Sequence, residues 1–307
     1  MGSKWTIIKL PILLKMKIFL TKTLLLALSL PLLLSACLFQ EEASLRAGLR
    51  ASGYGISPFP PPQWWLFSTD SMASNFDEAS PAVVWIVGTI NGKYSQLTFP
   101  LPDGKSGKDY ENILFSSLDN NEAYLTQFDE QGVKVWLQVE PADANVETLI
   151  DLVLNRYASH PCVVGFGVDV EWYQRKSYYE GKEISDEEAS LWIKKVHSYN
   201  PEYNLFLKHW LVEKMPPSYR EGLMFLDDSQ DFESLNEMKN EFSDWGAYFS
   251  PAMVGFQYGY SADRTWWGEF DNPPAEIGKA LLEEIPNTSD LFWVDFTAKE
   301  IWESESK

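Results

Sequence analysis

Val163-Val-Gly-Phe-Gly-Val-Asp-Val-Glu171 is a continuous apolar run that ends in two acids. Short apolar runs bounded by polar segments read as buried strands of a parallel sheet. Side chains alternate between the faces of a strand. Val164, Phe166, Val168 and Val170 therefore share one face, suited to lie under helices, while Gly165, Gly167, Asp169 and Glu171 share the other. A strand of this kind needs parallel neighbours joined by crossovers.

Such neighbours recur along the chain. Val83–Ile90, Ile113–Ser117, Val133–Glu140, Asn204–Trp210, Leu223–Asp228, Met253–Tyr258 and Leu291–Phe296 join Val163–Glu171 to make eight runs. Eight is the number a closed barrel needs. Between them lie helix candidates, Asn145–Tyr157 with apolar residues at helical spacing, and Ser185–Ser198 opened by the capping box Ser185-Asp-Glu-Glu188. The expected fold class is α/β, a single (β/α)8 TIM barrel over residues 63–307; a doubly wound open sheet would give the same alternation. Leu38–Pro62 reads as a tether ending in a proline run.

Upstream, Thr23–Ala36 is almost wholly apolar, follows Lys15, Lys17 and Lys22, and closes on Leu34-Ser-Ala-Cys37. That is the layout of a secretory signal. It resembles the lipobox of prokaryotic lipoproteins, which implies lipid on Cys37, residues 1–37 as the signal, and an extracytoplasmic, membrane-anchored product. An ordinary signal peptide with an incidental cysteine is the alternative. Met1 and Met16 are both possible starts.

Loss of the five lysines in residues 1–37 would leave 20 basic against 44 acidic residues, a net charge of −24. Nucleic acids and other polyanions are poor partners for such a surface. With Cys37 lipidated, only Cys162 remains, so no intrachain disulfide is expected. The chain has 13 tryptophans, and most are expected in the core; Trp64-Trp65 and Trp266-Trp267 are set aside for ligand stacking.

In a barrel the chemistry sits at the carboxyl ends of the strands. Here those ends carry Gln138 and Glu140, Asp169 and Glu171, Lys208, His209 and Trp210, Asp227 and Asp228, Gln257 and Tyr258, and Asp295. Paired carboxylates on one face push each other's proton affinities apart, which supplies an acid and an ionised partner. Glycoside hydrolysis requires such a pair. A plain structural role is open for each: Asp169 and Glu171 as salt-bridging groups, Glu140 paired with Lys208, Asp295 as a helix cap, and His209 as a satisfied inner histidine. Asp227 and Asp228 alternate faces, so at most one enters a shared site. The three histidines show no ligand spacing, and neither metal nor cofactor is expected.

Gly165-Phe-Gly-Val-Asp-Val-Glu171 followed by Trp172 resembles the fourth-strand motif Asp-x-x-Asp-x-Asp-x-Glu of family 18 glycoside hydrolases, the chitinases and endo-β-N-acetylglucosaminidases. Val164 and Gly167 stand where the first two aspartates belong, and the third-strand Ser-x-Gly-Gly is missing. Family 25 lysozymes share an Asp-x-Glu at this strand but not the amino-terminal opening. The family 18 resemblance implies Glu171 as general acid and Asp169 orienting an acetamido group that attacks the anomeric carbon. It also implies Tyr258 supporting that group and Trp293 flooring the sugar pocket. Gln138, Glu140, Trp172, His209, Trp210, Asp228, Gln257 and Asp295 complete the expected substrate contacts. Two functions follow: a lipid-anchored hydrolase of an N-acetylhexosamine-containing glycan, or a non-catalytic glycan-binding surface lipoprotein on the same barrel.

Overall fold

The structure is a computed structural model, and it describes residues 44–175 and 181–303. Cys37, the apolar segment before it and both candidate starts lie outside the described residues. No helix among the described residues is long and apolar enough to cross a membrane.

Among the described residues there are ten strands: β1 Arg46–Ala51, β2 Ser80–Asn91, β3 Tyr94–Leu97, β4 Ile113–Phe115, β5 Lys134–Val139, β6 Val163–Asp169, β7 Asn204–Lys208, β8 Leu223–Asp227, β9 Val254–Tyr258 and β10 Thr288–Val294. The helices are α1 Pro62–Ala73, α2 Glu122–Gln131, α3 Val146–Tyr157, α4 Asp186–His197, α5 Leu235–Phe249, α6 Arg264–Trp267, α7 Pro273–Glu284 and α8 Asp295–Trp302. Strands β1, β2, β5, β6, β7, β8, β9 and β10 pair in parallel in that order, and β10 pairs back to β1. The ring is closed, so the fold is a (β/α)8 TIM barrel and not an open sheet. Its one thin crossover is between β7 and β8, which carries only the 3₁₀ turn Val212–Lys214.

Two expectations about the chain's organisation need correction. The expected tether, residues 38–62, contains β1, which is locked between β2 and β10; the domain therefore starts before residue 63. Its outward residues Ala47, Leu49 and Ala51 pack in the outer core, whereas Arg46 and Arg50 face inward. Charges on the inner face disguised the strand. The run at Ile113, in turn, is not a barrel strand: β4 pairs only with β3, and β3 is the antiparallel return of the long β2. Local hydrophobicity cannot tell a ring strand from a strand added at one end.

The barrel interior is packed by Ala82, Val84, Trp136, Phe206, Met224, Leu226 and Phe292. The glycines of β6 are needed for packing against the neighbouring strands. A Cβ on Gly167 would stand 2.0 Å from Phe206 Cζ, and one on Gly165 would stand 2.2 Å from the Asn204 carbonyl and 2.7 Å from Trp136 Nε1. The absent side chains make room for rings from the neighbouring strands.

Outside the barrel, the larger core lies between strands and helices, where α3 and α4 follow the expected pattern. Asn145 caps α3 by accepting from Thr148 N at 2.8 Å. Ser185 and Glu188 form the reciprocal capping box of α4, at 3.2 and 3.0 Å.

Candidate active site

Lys208, the last residue of β7, is the centre of the mouth. Its side chain is almost wholly buried, and Nζ pairs with Asp169 Oδ2 at 3.1 Å and with Asp228 Oδ2. Parity explains the arrangement: Phe206 and Lys208 face inward on β7, Gly167 and Asp169 on β6, and Leu226 and then Asp228 on β8. Gln138 Nε2 donates to the same Asp169 oxygen at 3.2 Å. Asp169 Oδ1, Asp228 Oδ1 and Gln138 Oε1 are buried without a hydrogen-bond partner among the described residues. Lys208 therefore pairs with Asp169 and Asp228, and the anticipated pairing with Glu140 is replaced.

Glu140 follows β5 and is also buried. Its Oε1 accepts from Tyr54 OH at 2.6 Å and its Oε2 from Ile90 N at 2.6 Å. Tyr54 OH in turn accepts from Arg50 Nη2 at 2.9 Å. Arg50 Nη1 donates to Asp295 Oδ1 at 2.8 Å, and Asp295 Oδ2 accepts from Ser52 N and Oγ at 2.7 and 2.8 Å. Asp295 is thus neither a free substrate contact nor the cap of α8, whose N-cap is Val294. It anchors Arg50. Gln257 faces inward on β9 and its Oε1 accepts from Tyr260 OH at 3.4 Å.

Glu171 lies on the 3₁₀ turn Val170–Trp172 just past β6 and is half-buried. It makes no hydrogen bond or ion pair with a described residue that would fix its proton. Burial raises its proton affinity; Lys208 opposes this, and the like charges of Asp228 and Glu140 add to it. Burial also pushes Asp169 well up, against Lys208 and with the help of Glu171, Asp228 and Glu140. Lys208 itself loses affinity through burial but gains more from Asp169 and Asp228, so it stays protonated. One ammonium faces more carboxylates than it can neutralise, and their mutual repulsion adds to burial in raising the proton affinity of Asp169 and Glu171. Burial keeps Tyr54 and Tyr260 un-ionised.

Several expected contacts fall elsewhere. Tyr258 has the outward parity of Val254 and Phe256; it is fully buried, and its hydroxyl donates to the Pro274 carbonyl at 3.0 Å. Trp293 is fully buried in the outer core, edge-on to Tyr258 and Trp267, with Nε1 donating to Thr297 Oγ1 at 2.9 Å. Neither reaches the mouth, because both belong to the strand faces that meet helices. His209 is buried with its ring tilted at 35° against Trp210, centroids 4.3 Å apart, its Nδ1 accepting from Leu211 N at 3.0 Å; burial drops its pKa to about 3, so it is a neutral inner histidine.

Trp210 opens on a separate cavity of about 510 Å³ with Asp227, Glu241 and Tyr248, beside the thin β7–β8 crossover. Trp172 stays at the rim, its ring 4.2 Å under the Arg175 guanidinium. The tandem tryptophans are packing residues: Trp65 and Trp267 are buried, and Trp266 Nε1 and Trp267 Nε1 are tied to the carbonyls of Phe232 and Tyr260.

Arg50, Ser52, Tyr54 and Tyr260 belong to the mouth and were not foreseen. The first three lay in the presumed tether. The alternation Arg46-Ala-Gly-Leu-Arg-Ala51 was the signal for them.

Asp129, His160 and Cys162 present ligand-type atoms within 4.8 Å of one another, which the spacing of the histidines had not suggested. His160 Nδ1 contacts Asp129 Oδ2 at 2.6 Å, Cys162 N donates to Asp129 Oδ1 at 2.8 Å, and Cys162 Sγ donates to the Leu125 carbonyl at 3.7 Å. Burial pushes the thiol up, and the group is closed by its own hydrogen bonds.

No protein-family model matches this chain, and no curated protein matches it in sequence. Three of the solved structures that it resembles are carbohydrate-cleaving enzymes. An endocellulase from Pyrococcus horikoshii matches at 11% identity and a TM-score of 0.47, over 85% of this chain and 90% of that one. A β-galactosidase from Rahnella sp. R3 matches at 10% identity and a TM-score of 0.39, over 81% of this chain and 57% of that one. A β-glucuronidase from an uncultured Clostridium sp. matches at 14% identity and a TM-score of 0.39, over 59% of this chain. The chain spans 37% of the length of that glucuronidase.

Proposed function

We propose that this protein is a lipid-anchored, extracytoplasmic glycoside hydrolase acting on an N-acetylhexosamine-containing glycan. The observation that supports it is the pair Asp169 and Glu171 at the carboxyl end of β6, both with proton affinity raised by burial and by neighbouring acids. A carboxyl group with raised proton affinity is better suited to protonate a leaving oxygen. Glu171 gives its proton to the glycosidic oxygen as the bond to the anomeric carbon breaks, and the substrate's acetamido oxygen forms the new bond to that carbon. Asp169 Oδ1, which has no partner among the described residues, accepts from the acetamido N–H. Water then attacks the cyclic intermediate and returns a proton to Glu171. Lys208 and Gln138 hold the other Asp169 oxygen and fix its orientation.

The test is hydrolysis of chitin oligomers, peptidoglycan fragments and N-glycans, with parallel titrations for binding. Cleavage that disappears in Glu171→Gln while binding persists supports the reading. Glycans without an acetamido group should be poor substrates; rapid cleavage of these would move the nucleophile to a protein carboxylate such as Glu140. A glycan-binding surface lipoprotein is the second reading. It is favoured by Tyr258, which turns away from the mouth, and by Lys208, which occupies one oxygen of both Asp169 and Asp228. Binding without cleavage by the wild type on every glycan tried would select it. The anchor has its own test: Cys37→Ser should abolish incorporation of labelled lipid and release the protein from membranes, and label retained on the variant would remove the anchor from the proposal.

A further inference from the structure

Exposed single aromatic side chains are common on protein surfaces. Tyr54 and Phe296 differ from the other large apolar residues that the described surface exposes. They are 52% and 44% exposed, and their ring centroids lie 6.3 Å apart. Both rings rest on one buried cation: Arg50 Cζ is 5.3 Å from the Tyr54 centroid and 5.0 Å from that of Phe296. Tyr54 is further fixed at its tip, where the hydroxyl accepts from Arg50 and donates to Glu140. Its hydroxyl end reaches into the charged mouth while much of the residue stays open to solvent. Phe296 follows Asp295, which clamps Arg50 from the other side. The two rings are therefore held in place with no ligand needed to order them, and such preorganisation reduces the entropic cost of binding.

Two aromatic faces inclined at 43° to each other, beside buried carboxylates, form a shallow apolar cradle that suits a molecule with an apolar face and a hydroxylated rim. A pyranose ring has that form, and aromatic rings are its usual stacking partners. Glu140 and Asp169 beside Tyr54, together with the strongly acidic chain, disfavour an anionic ring.

We infer that Tyr54 and Phe296 form a stacking subsite for an uncharged or amino pyranose ring, placed where Tyr54 meets Glu140. The inference rests on the glycosidase reading of the mouth and adds to it the surface that holds a sugar unit beside the acids. It also replaces Trp293 as the aromatic floor.

Isothermal titration of the full-length protein in detergent with tetramers of N-acetylglucosamine, N-acetylgalactosamine, glucose, mannose and galacturonic acid tests it. Phe296→Ala should weaken binding of the preferred neutral tetramer about tenfold, and Phe296→Tyr should restore it. Phe296→Leu keeps apolar area without a flat face and should behave like Phe296→Ala. Tyr54→Phe keeps the ring but releases its tip from Arg50 and Glu140, so it should weaken binding by about threefold; unchanged melting of the Phe296 variants is the control for folding. Neutral tetramer binding within about twofold of wild type in both Phe296→Ala and Phe296→Leu would overturn the subsite while leaving the glycosidase reading intact. Wild type that binds none of the panel, or prefers the uronate, would overturn both.

Discussion

The two ends of one barrel treat buried charge in opposite ways. At the base, Arg46 meets Asp290 through two parallel contacts of 2.8 Å each, and Ser289 Oγ adds a third bond to that carboxylate at 2.6 Å. The guanidinium also lies 4.6 Å over Trp136, the ring that fills the interior beside it. At the mouth, Lys208 is shared between Asp169 and Asp228, each of which keeps one buried oxygen without a partner among the described residues. A complete pair serves the fold alone. An incomplete one costs stability unless something binds it, and that asymmetry supports the mouth as the proposed site.

The sharpest way to break this comparison is Glu171→Gln, which preserves shape but cannot deliver a proton. Turnover should fall by about 10² to 10⁴-fold with binding retained; wild-type turnover would remove the mouth's catalytic role. The same group sets the pH dependence. Because its proton affinity is raised in the folded protein, activity should persist above the ordinary glutamate range and fall as pH rises through the elevated value. For stability the sign is the same: a raised carboxyl contributes most below its unfolded pKa, and that contribution is lost as pH rises.

Replacing one partner at the mouth should cost far more than replacing both partners at the base. Lys208→Met strands two buried carboxylates and should cost about 3–5 kcal/mol in urea unfolding. The double change Arg46→Met with Asp290→Leu removes a complete pair and should leave stability unchanged or raise it by about 1–4 kcal/mol, with glycan cleavage intact. A large loss from the double change would show that the base is not a closed unit. Gly167→Ala sits between the two ends, and its methyl must displace the Phe206 ring; the expected cost is about 1–3 kcal/mol by thermal melting.

The smallest effect belongs to the helical layer, remote from both. Burial alone would raise Glu188, but hydrogen bonds from Lys182, Ser185 and Tyr173 hold it at about 2. Its contribution is present above the unfolded carboxyl pKa and is lost as pH falls from there through about 2, the reverse of Glu171. Ser185→Ala should cost about 1 kcal/mol in urea unfolding and flatten that acid limb.

Period-two alternation made much of the mouth legible in advance. It assigned Asp169 inward, let only one of Asp227 and Asp228 enter the site, and picked out the acid-rich strand ends. Tyr258 and Trp293 went astray where resemblance to a family was allowed to outrank parity. If Gln257 faces inward, Tyr258 cannot. Strand β1 escaped because its inward positions are Arg46, Gly48 and Arg50, and the acids that make those arginines tolerable, Asp290 and Asp295, lie more than 240 residues later. No local window contains both halves of such a pair. The reach of Tyr54 to Glu140 is hidden for the same reason.

The placement of β1 also governs the order of assembly. It is held on one side by β2 and on the other by β10, and both of its arginines take partners from the far end of the chain. A chain emerging residue by residue has to carry two unneutralised guanidinium groups on a strand with one open edge until residues 288–295 arrive. Loops closed over so long a separation form slowly. The barrel therefore closes as its last event, and a product cut before β10 would expose both an unpaired edge and two stranded cations, a form suited to recognition by proteases and not to partial function.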